Sequence, residues 1–403
     1  MALSAATKQA PPRPALRAPA PCGFALTLPP VPLAGDVALV DLTRLLRAAR
    51  RPFATGIDRI DLAMAMQLRA RLGAGCRFVG ASRFGPWLAP RPWADAFLRA
   101  LGAAWRAEGR GQLNAVLSLR QAAMAAGLAR GALGGWGRLA AARATYVNAG
   151  HGGLLRRPGA LRRIDPLRLM PALVYLHDLI PLERPEVQTP QSRAHFDRFL
   201  EETGAARATI LANSADTARR AGALARRRGW QLSGVIVAPP RLDPLAPHGP
   251  PGARVAAILA DPRPYFLALG TIEPRKNHAL LVQIWRRLAA RPGAPRLVIA
   301  GRRGWQVGPL LWAIDHDPAL AGLVVRIEGA SDRDALALLA GARALVMPSL
   351  AEGLGLPALE AAALGVPAIL SDLPALRETG GRLASYLDPM DAAAWADAIE
   401  RIA

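Results

Sequence analysis

From residue 36 onward, short apolar runs alternate with longer stretches in which apolar residues recur every three or four positions. The runs VALVD (37–41), LVYLH (173–177), TILAN (209–213) and VIVA (235–238) predict buried strands. A second series follows: YFLALG (265–270), RLVIA (296–300), VVRIE (324–328), ALVM (344–347) and PAILS (367–371). Between the two series lies LDPLAPHGPPGA (242–253), whose prolines and glycines break regular structure and mark a linker. In NHALLVQIWRRLAAR, Leu280, Leu281, Ile284 and Leu288 recur at helical spacing. In SDRDALALLAGA, Ser331 is placed to cap a helix and Asp334 to complete a capping box. Strands alternating with helices in two blocks predict an α/β protein with two parallel-sheet layers.

Length agrees, since 403 residues correspond to two or three domains. The reading is an Ala/Pro-rich disordered tail over 1–35, one domain over 36–245 and a second over 250–403. The tail has prolines where a signal peptide needs an apolar helix, and no run of about 18 apolar residues predicts a membrane span. A cytoplasmic location follows as an expectation. Cys22 and Cys76 are not spaced as a metal pair or a disulfide framework, and no metal is expected.

Charge changes the picture. The net charge is +21, and of 51 basic residues only Lys8 and Lys276 are lysine. Residues 1–200 carry 28 basic and 11 acidic residues, net +17, whereas residues 201–403 carry 23 and 19, net +4. A coding bias explains abundant arginine but not its segregation, so the N-terminal half is the expected face toward an anionic partner. The segment 104–143, with Trp105, Trp136 and six arginines against the single acid Glu108, suits either a membrane interface or a helical hairpin over the sheet. Nucleic acid is not expected, because no recognition motif is present and aromatics are not interleaved with the basic runs.

The densest chemistry lies in PSLAEGLGLPALEAAALGVPAILSD (348–372). Glu352 precedes a helix, Pro357 suits its first turn, and Glu360 follows within it. Gly353 and Gly355 let backbone N–H groups approach a ligand at a helix N-terminus, which is an anion site. Carboxylates beside phosphate donors suit a nucleotide-sugar. The same glycines with Ala358 also match GxGxxA, with Asp372 near the acidic position, so a nicotinamide-dependent oxidoreductase is an alternative. In LGTIEPRKN (269–277), Arg275 and Lys276 sit at a strand-to-helix turn, and a lone lysine in an arginine-rich chain suits a point charge on a diphosphate. His177 in HDLIP lies at a strand end, where it could donate a hydrogen bond to a phosphate or sugar or be structural, and His151 in VNAGHGG is equally open. ATGIDR (54–59) forms a glycine turn with Thr55, Gly56 and Arg59.

Together these segments resemble the retaining glycosyltransferases of family 4, in order and spacing from about residue 37 to the C-terminus. Glu352 to Glu360, EGLGLPALE, is similar to that family's E-x7-E motif. HDLIP followed by EPRKN further resembles bacterial polysaccharide enzymes, many of them mannosyltransferases. The resemblance implies a GT-B fold, two Rossmann-like domains facing across a cleft. It implies that Arg275 or Lys276 neutralises the donor diphosphate and that Glu360 binds the ribose. Glu352 with Gly353, Leu354 and Gly355 would hold the transferred sugar, His177 would lie near the anomeric carbon, and Gly56 would approach the diphosphate. Thr55, Arg59 and His151 would lie on the acceptor side. The implied partners are a nucleoside-diphosphate sugar, a saccharide or lipid-linked acceptor and an anionic membrane surface, with no cofactor. Two positions depart: Thr271 stands where many members carry arginine, and Leu354 where they carry an aromatic. A non-catalytic interaction module on the same fold is the other alternative.

Overall fold

The computed structural model describes residues 23–51, 53–82, 85–106, 114, 116–119, 121, 136–245 and 250–403. Its strands are β1 (Gly23–Thr27), β2 (Ala38–Asp41), β3 (Cys76–Ser82), β4 (Gly85–Ala89), β5 (Thr145–Asn148), β6 (Ala172–Leu176), β7 (Thr209–Ala212), β8 (Gly234–Val237), β9 (Arg241–Leu245), β10 (Tyr265–Leu269), β11 (Arg296–Ala300), β12 (Val324–Ile327), β13 (Ala344–Met347), β14 (Ala368–Ser371) and β15 (Ala384–Leu387).

Two sheets form the body. The N-terminal sheet has the order β4-β3-β2-β5-β6-β7-β8, parallel except for β4, which runs antiparallel to β3. The C-terminal sheet is wholly parallel, in the order β12-β11-β10-β13-β14-β15. Both are covered on two faces, which is why their strands read as continuous apolar runs. Successive residues enter opposite layers: Val40 packs with Phe78 and Tyr175, and Leu39 with Tyr146 and Leu176. In the second sheet Phe266 packs with Trp285 and Trp395, and Leu267 with Val298 and Leu345.

Each sheet starts at an inner strand, runs outward one way, then returns to the other side. The direction reverses between β2 and β5 and between β10 and β13. Loops at the carboxyl ends of such neighbours diverge and leave a crevice, the usual ligand site of open α/β sheets.

Residues 23–35, expected to belong to a tail, are ordered. β1 pairs antiparallel with β9, which comes from the presumed linker. Phe24 is buried in the C-terminal core, while Leu28 and Val31 are buried in the N-terminal one. Proline-rich composition hid a strap that has apolar residues at the points where it touches each domain. Residues 1–22, including Cys22, and most of the 104–143 segment lie outside the described residues. Of that segment, Trp105 is buried in the N-terminal core and donates from Nε1 to Arg51 O at 3.2 Å, so this indole does not face a membrane. Among the described residues, no helix is long and apolar enough to cross a membrane.

Candidate active site

The loops after β10 and β13 meet at the reversal point of the C-terminal sheet. Leu350 N donates to Arg275 O at 2.8 Å and ties one loop to the other. Arg275 then fills the gap with its fork: Nη1 reaches Glu352 Oε2 at 2.9 Å and Ala351 O at 2.8 Å, and Nη2 reaches Glu273 Oε1 at 2.6 Å. Lys276 Nζ donates to the other Glu352 oxygen at 2.6 Å. Burial would raise the Glu352 pKa, but Arg275 and Lys276 outweigh it and hold the carboxyl at about 2. Asp178 of the other domain adds a third carboxylate near Arg275. The guanidinium is therefore committed to protein acceptors. Lys276 has three N–H donors and shows one such bond, so of the two candidate cations it is the one open to a diphosphate.

Beside this network, the helix Leu356–Leu364 starts from Gly355 in the left-handed conformation (φ 86°), with Pro357 in its first turn and no side-chain cap. Pro357 has no N–H, and the Ala358 and Leu359 amides donate to Gly355 O at 2.9 and 3.2 Å, so of the first residues Leu356 supplies the candidate anion donor. Gly353 serves a different purpose from the expected one. Its Cα faces the other domain, where an added methyl would overlap the His177 carbonyl, and its own carbonyl accepts from Ser214 Oγ at 2.7 Å. Leu354 is buried, its carbonyl accepting from Thr379 Oγ1 at 3.0 Å.

The N-terminal wall comes from three loops. Thr55 caps the helix Gly56–Leu72 in a full capping box with Asp58. The hydroxyl is thereby engaged, so Thr55 shapes the turn and does not offer itself to an acceptor. Gly56 lies against the donor-side helix, an added Cβ coming 3.0 Å from Leu356 Cδ1. Arg59 also departs from its expected place. Its Nη1 donates to Glu360 Oε1 at 2.6 Å, and Asp332 lies 3.8 Å from Nε. A guanidinium buried on the first turn of the helix requires carboxylates, and the opposite domain supplies them. Burial raises the Glu360 pKa, and Arg59 opposes the rise.

The two histidines form one structural corner. His177 Nε2 lies 2.7 Å from Ala149 O, and a carbonyl only accepts, so Nε2 carries the proton. His177 therefore has no free N–H for a ligand, and burial holds its pKa at about 4, leaving a neutral ring. His151 faces inward, correcting its acceptor-side assignment: its Nε2 accepts from His177 N at 3.0 Å while the ring packs on Phe196 and Phe199. It fixes His177, its Nε2 engaged by that backbone amide.

Sequence reading missed Arg44 and Asp61. Arg44 braces the corner, with Nε to Asp58 Oδ1 at 2.8 Å and Nη1 to Gly150 O at 3.3 Å. Asp61 is 1% exposed, and its Oδ2 has no hydrogen-bond partner among the described residues. Burial, followed by Asp41 and Asp58 against the opposing Arg44, pushes its pKa well up. A signal was present, since Asp61, Met64, Ala65 and Leu68 make one buried stripe at helical spacing and only Asp61 is charged.

Residues 263–403 match the family described as "Glycosyl transferases group 1". The matched segment carries Lys276, Glu352 and Glu360. The chain is 29% identical over 254 residues to the serotype-specific mannosyltransferase WbdA of Escherichia coli, covering 60% of this chain and 31% of that protein. It is 38% identical over 129 residues to the O-antigen chain mannosyltransferase B of E. coli, covering 32% and 33%. The chain thus spans about a third of the length of the curated relatives it matches.

The fold match extends beyond the matched segment. Sucrose-phosphate synthase of Thermosynechococcus elongatus superposes over 91% of this chain and 89% of its own, at 20% identity and a TM-score of 0.53. HepE of Anabaena, solved in complex with UDP and glucose, superposes over 90% and 89%, at 12% identity and 0.53. The two-domain GT-B fold is therefore that of this chain. The GxGxxA segment follows β13, the fourth strand of its sheet, not the first, and Asp372 is engaged by exposed Arg377 at 2.6 Å. That position removes the reason to read it as a dinucleotide fingerprint.

Proposed function

We propose that the protein is a retaining glycosyltransferase that moves a sugar, with mannose favoured, from a nucleoside-diphosphate sugar to a saccharide or lipid-linked acceptor in polysaccharide biosynthesis. The observation that carries this is the Arg275–Glu352–Lys276 network beside the uncapped helix Leu356–Leu364, set at the reversal point of the C-terminal sheet. The similarity to the mannosyltransferases WbdA and O-antigen chain mannosyltransferase B supports mannose, and the UDP and glucose held by HepE support a nucleotide-sugar donor.

In this reading the diphosphate lies at the N-terminus of that helix, against the Leu356 amide, and takes Lys276. Glu352, kept ionised by its cations, accepts from hydroxyls of the transferred sugar. Glu360 accepts from the ribose through the oxygen that Arg59 does not hold. The bond from the anomeric carbon to the diphosphate oxygen breaks, and a bond to the acceptor oxygen forms on the same face. The acceptor proton passes to the departing diphosphate. His177 offers a hydrogen-bond acceptor at Nδ1, and charge stabilisation by Lys276 and the helix amides replaces a strong protein base. We place the enzyme in the cytoplasm, peripheral to the inner face of the membrane.

The test is a thermal-shift panel of GDP-, UDP- and ADP-sugars on the parent protein, Lys276→Ala and Glu360→Ala. A ligand stabilises the folded state with the logarithm of its concentration over Kd. One donor class should raise the melting temperature of the parent and lose most of that effect in both variants. No shift with any donor, or equal shifts in all three proteins, overturns the reading.

A further inference from the structure

The reversal point of the N-terminal sheet, between β2 and β5, carries its own unexplained charge. Arg47 lies on the helix Thr43–Ala48 that follows β2. Arg156 ends the short turn Gly153–Arg156 that follows β5. Arg198 and His195 lie on the helix Pro190–Ala205, which comes after β6 and packs on that turn. The packing of that helix on the turn brings these groups within electrostatic reach: Arg156, Arg198 and Arg47 all push the His195 pKa down, and burial, Arg47 and Arg198 push that of Arg156 down. Among the described residues, none of the three guanidinium groups has a hydrogen bond or an ion pair. Glu202, one turn beyond Arg198, is engaged by Gly159 N at 3.1 Å. Asp41 is engaged by Tyr146 Oη at 2.7 Å, Leu154 N at 2.9 Å and Thr43 N at 2.8 Å.

Cations drawn from three separate elements, at the carboxyl ends of neighbouring strands, repel one another and gain nothing from the protein. An anion bound among them reverses that cost, and guanidinium forks match phosphate oxygens in shape. The loop 149–153 joins this cluster to the His177 corner through Ala149 O and Arg44. We infer that Arg47, Arg156 and Arg198, with His195, bind a phosphate group of the acceptor, so that the acceptor is a phosphate ester or diphosphate and not a neutral saccharide. The inference rests on the proposed transferase reading, in that it treats this wall of the cleft as the acceptor side.

The experiment uses the full chain, the single variants Arg156→Gln and Arg198→Gln, and pyrophosphate as the probe. GDP is added first at saturation to occupy the donor site, and pyrophosphate is then titrated by calorimetry. One pyrophosphate should bind the parent protein, and each variant should weaken it about tenfold or more, the weight of a charge-assisted hydrogen bond. Both variants should melt no lower than the parent, because each removes repulsion. No binding by the parent, or equal affinity in all three proteins, overturns the inference. Failure of GDP to bind overturns the donor-site reading instead, and pyrophosphate titrated alone then still reports on the cluster through the variants. Flotation with phosphatidylglycerol vesicles, lost in the variants, assigns the phosphate to a lipid; no flotation assigns it to a soluble phosphorylated acceptor.

Discussion

At the scale of single residues, two buried carboxylates behave oppositely. Glu352 is held at about 2 against an ordinary value of 4.5, so it binds fewer protons folded than unfolded. Its stabilisation is complete above the ordinary value and is lost as pH falls from there through about 2. Glu352→Gln should cost about 3 kcal/mol near neutrality, because it leaves Arg275 and Lys276 short of a counter-charge. Denaturant melts of both proteins should converge on acidification. Asp61 is pushed well above its ordinary 3.8, so its ionised form destabilises the fold increasingly as pH rises from that value. Asp61→Asn should stabilise the protein near pH 7 by about 1–3 kcal/mol, the cost of an unsatisfied buried polar group. That gain should vanish near pH 4, and a constant gain across the range would rule out titration as its origin.

At the scale of elements, the site depends on how one helix begins. Gly355 has φ 86°, and an added methyl would also overlap Leu376. Gly355→Ala should destabilise by about 2 kcal/mol or more, left-handed strain alone costing about 1–2 kcal/mol. The drop in denaturation midpoint should come with loss of the donor-induced thermal shift, since the proposed function seats the donor diphosphate at that helix N-terminus. This helix was legible because its glycines, proline and spaced glutamates act locally. The apolar runs beginning at 37, 173, 209 and 235, and those of the second series, became strands β2, β6, β7, β8, β10, β11, β12, β13 and β14 for the same reason. β3, β5 and β15 were not legible. β3 contains Arg77 and Gly80, β5 (TYVN) has a polar residue at each end, and β15 (ASYL) has its apolar residues interrupted by Ser385, so neighbouring strands define them more than their own pattern does. The partners of the site residues were hidden for a related reason. Arg59 lies 301 positions from Glu360, and nothing near either residue announces the pairing.

At the scale of the whole molecule, each sheet has its own two-sided core, while much of the contact between the halves is polar. Arg59 meets Glu360, Ser214 Oγ meets Gly353 O, and the Glu378 carboxylate accepts from the Ala215 and Asp216 amides at 2.7 and 2.9 Å. Among the described residues, buried apolar contact between the halves comes from the strap, with Phe24 in one core and Leu28 and Val31 in the other, and from Ile180 and Val187 clustered with Ala351. Contacts of this kind let domains separate without unfolding, as interfaces within a chain commonly do. Arg59→Ala removes the most buried of these ion pairs and leaves the Glu360 carboxylate facing the cleft without its counter-charge. The halves should then part. The radius of gyration from small-angle scattering should rise, and further at high salt, where the remaining polar contacts weaken. Unfolding of the individual cores should be little changed, because none of their apolar packing is touched. A donor nucleotide whose ribose donates to Glu360 restores a partner to that carboxylate, so the donor that passes the thermal-shift panel should return the variant toward the compact radius. A variant as compact as the parent at every salt concentration would show that the apolar contacts between the halves set the domain arrangement, with the Arg59–Glu360 pair a consequence of closure and not its cause.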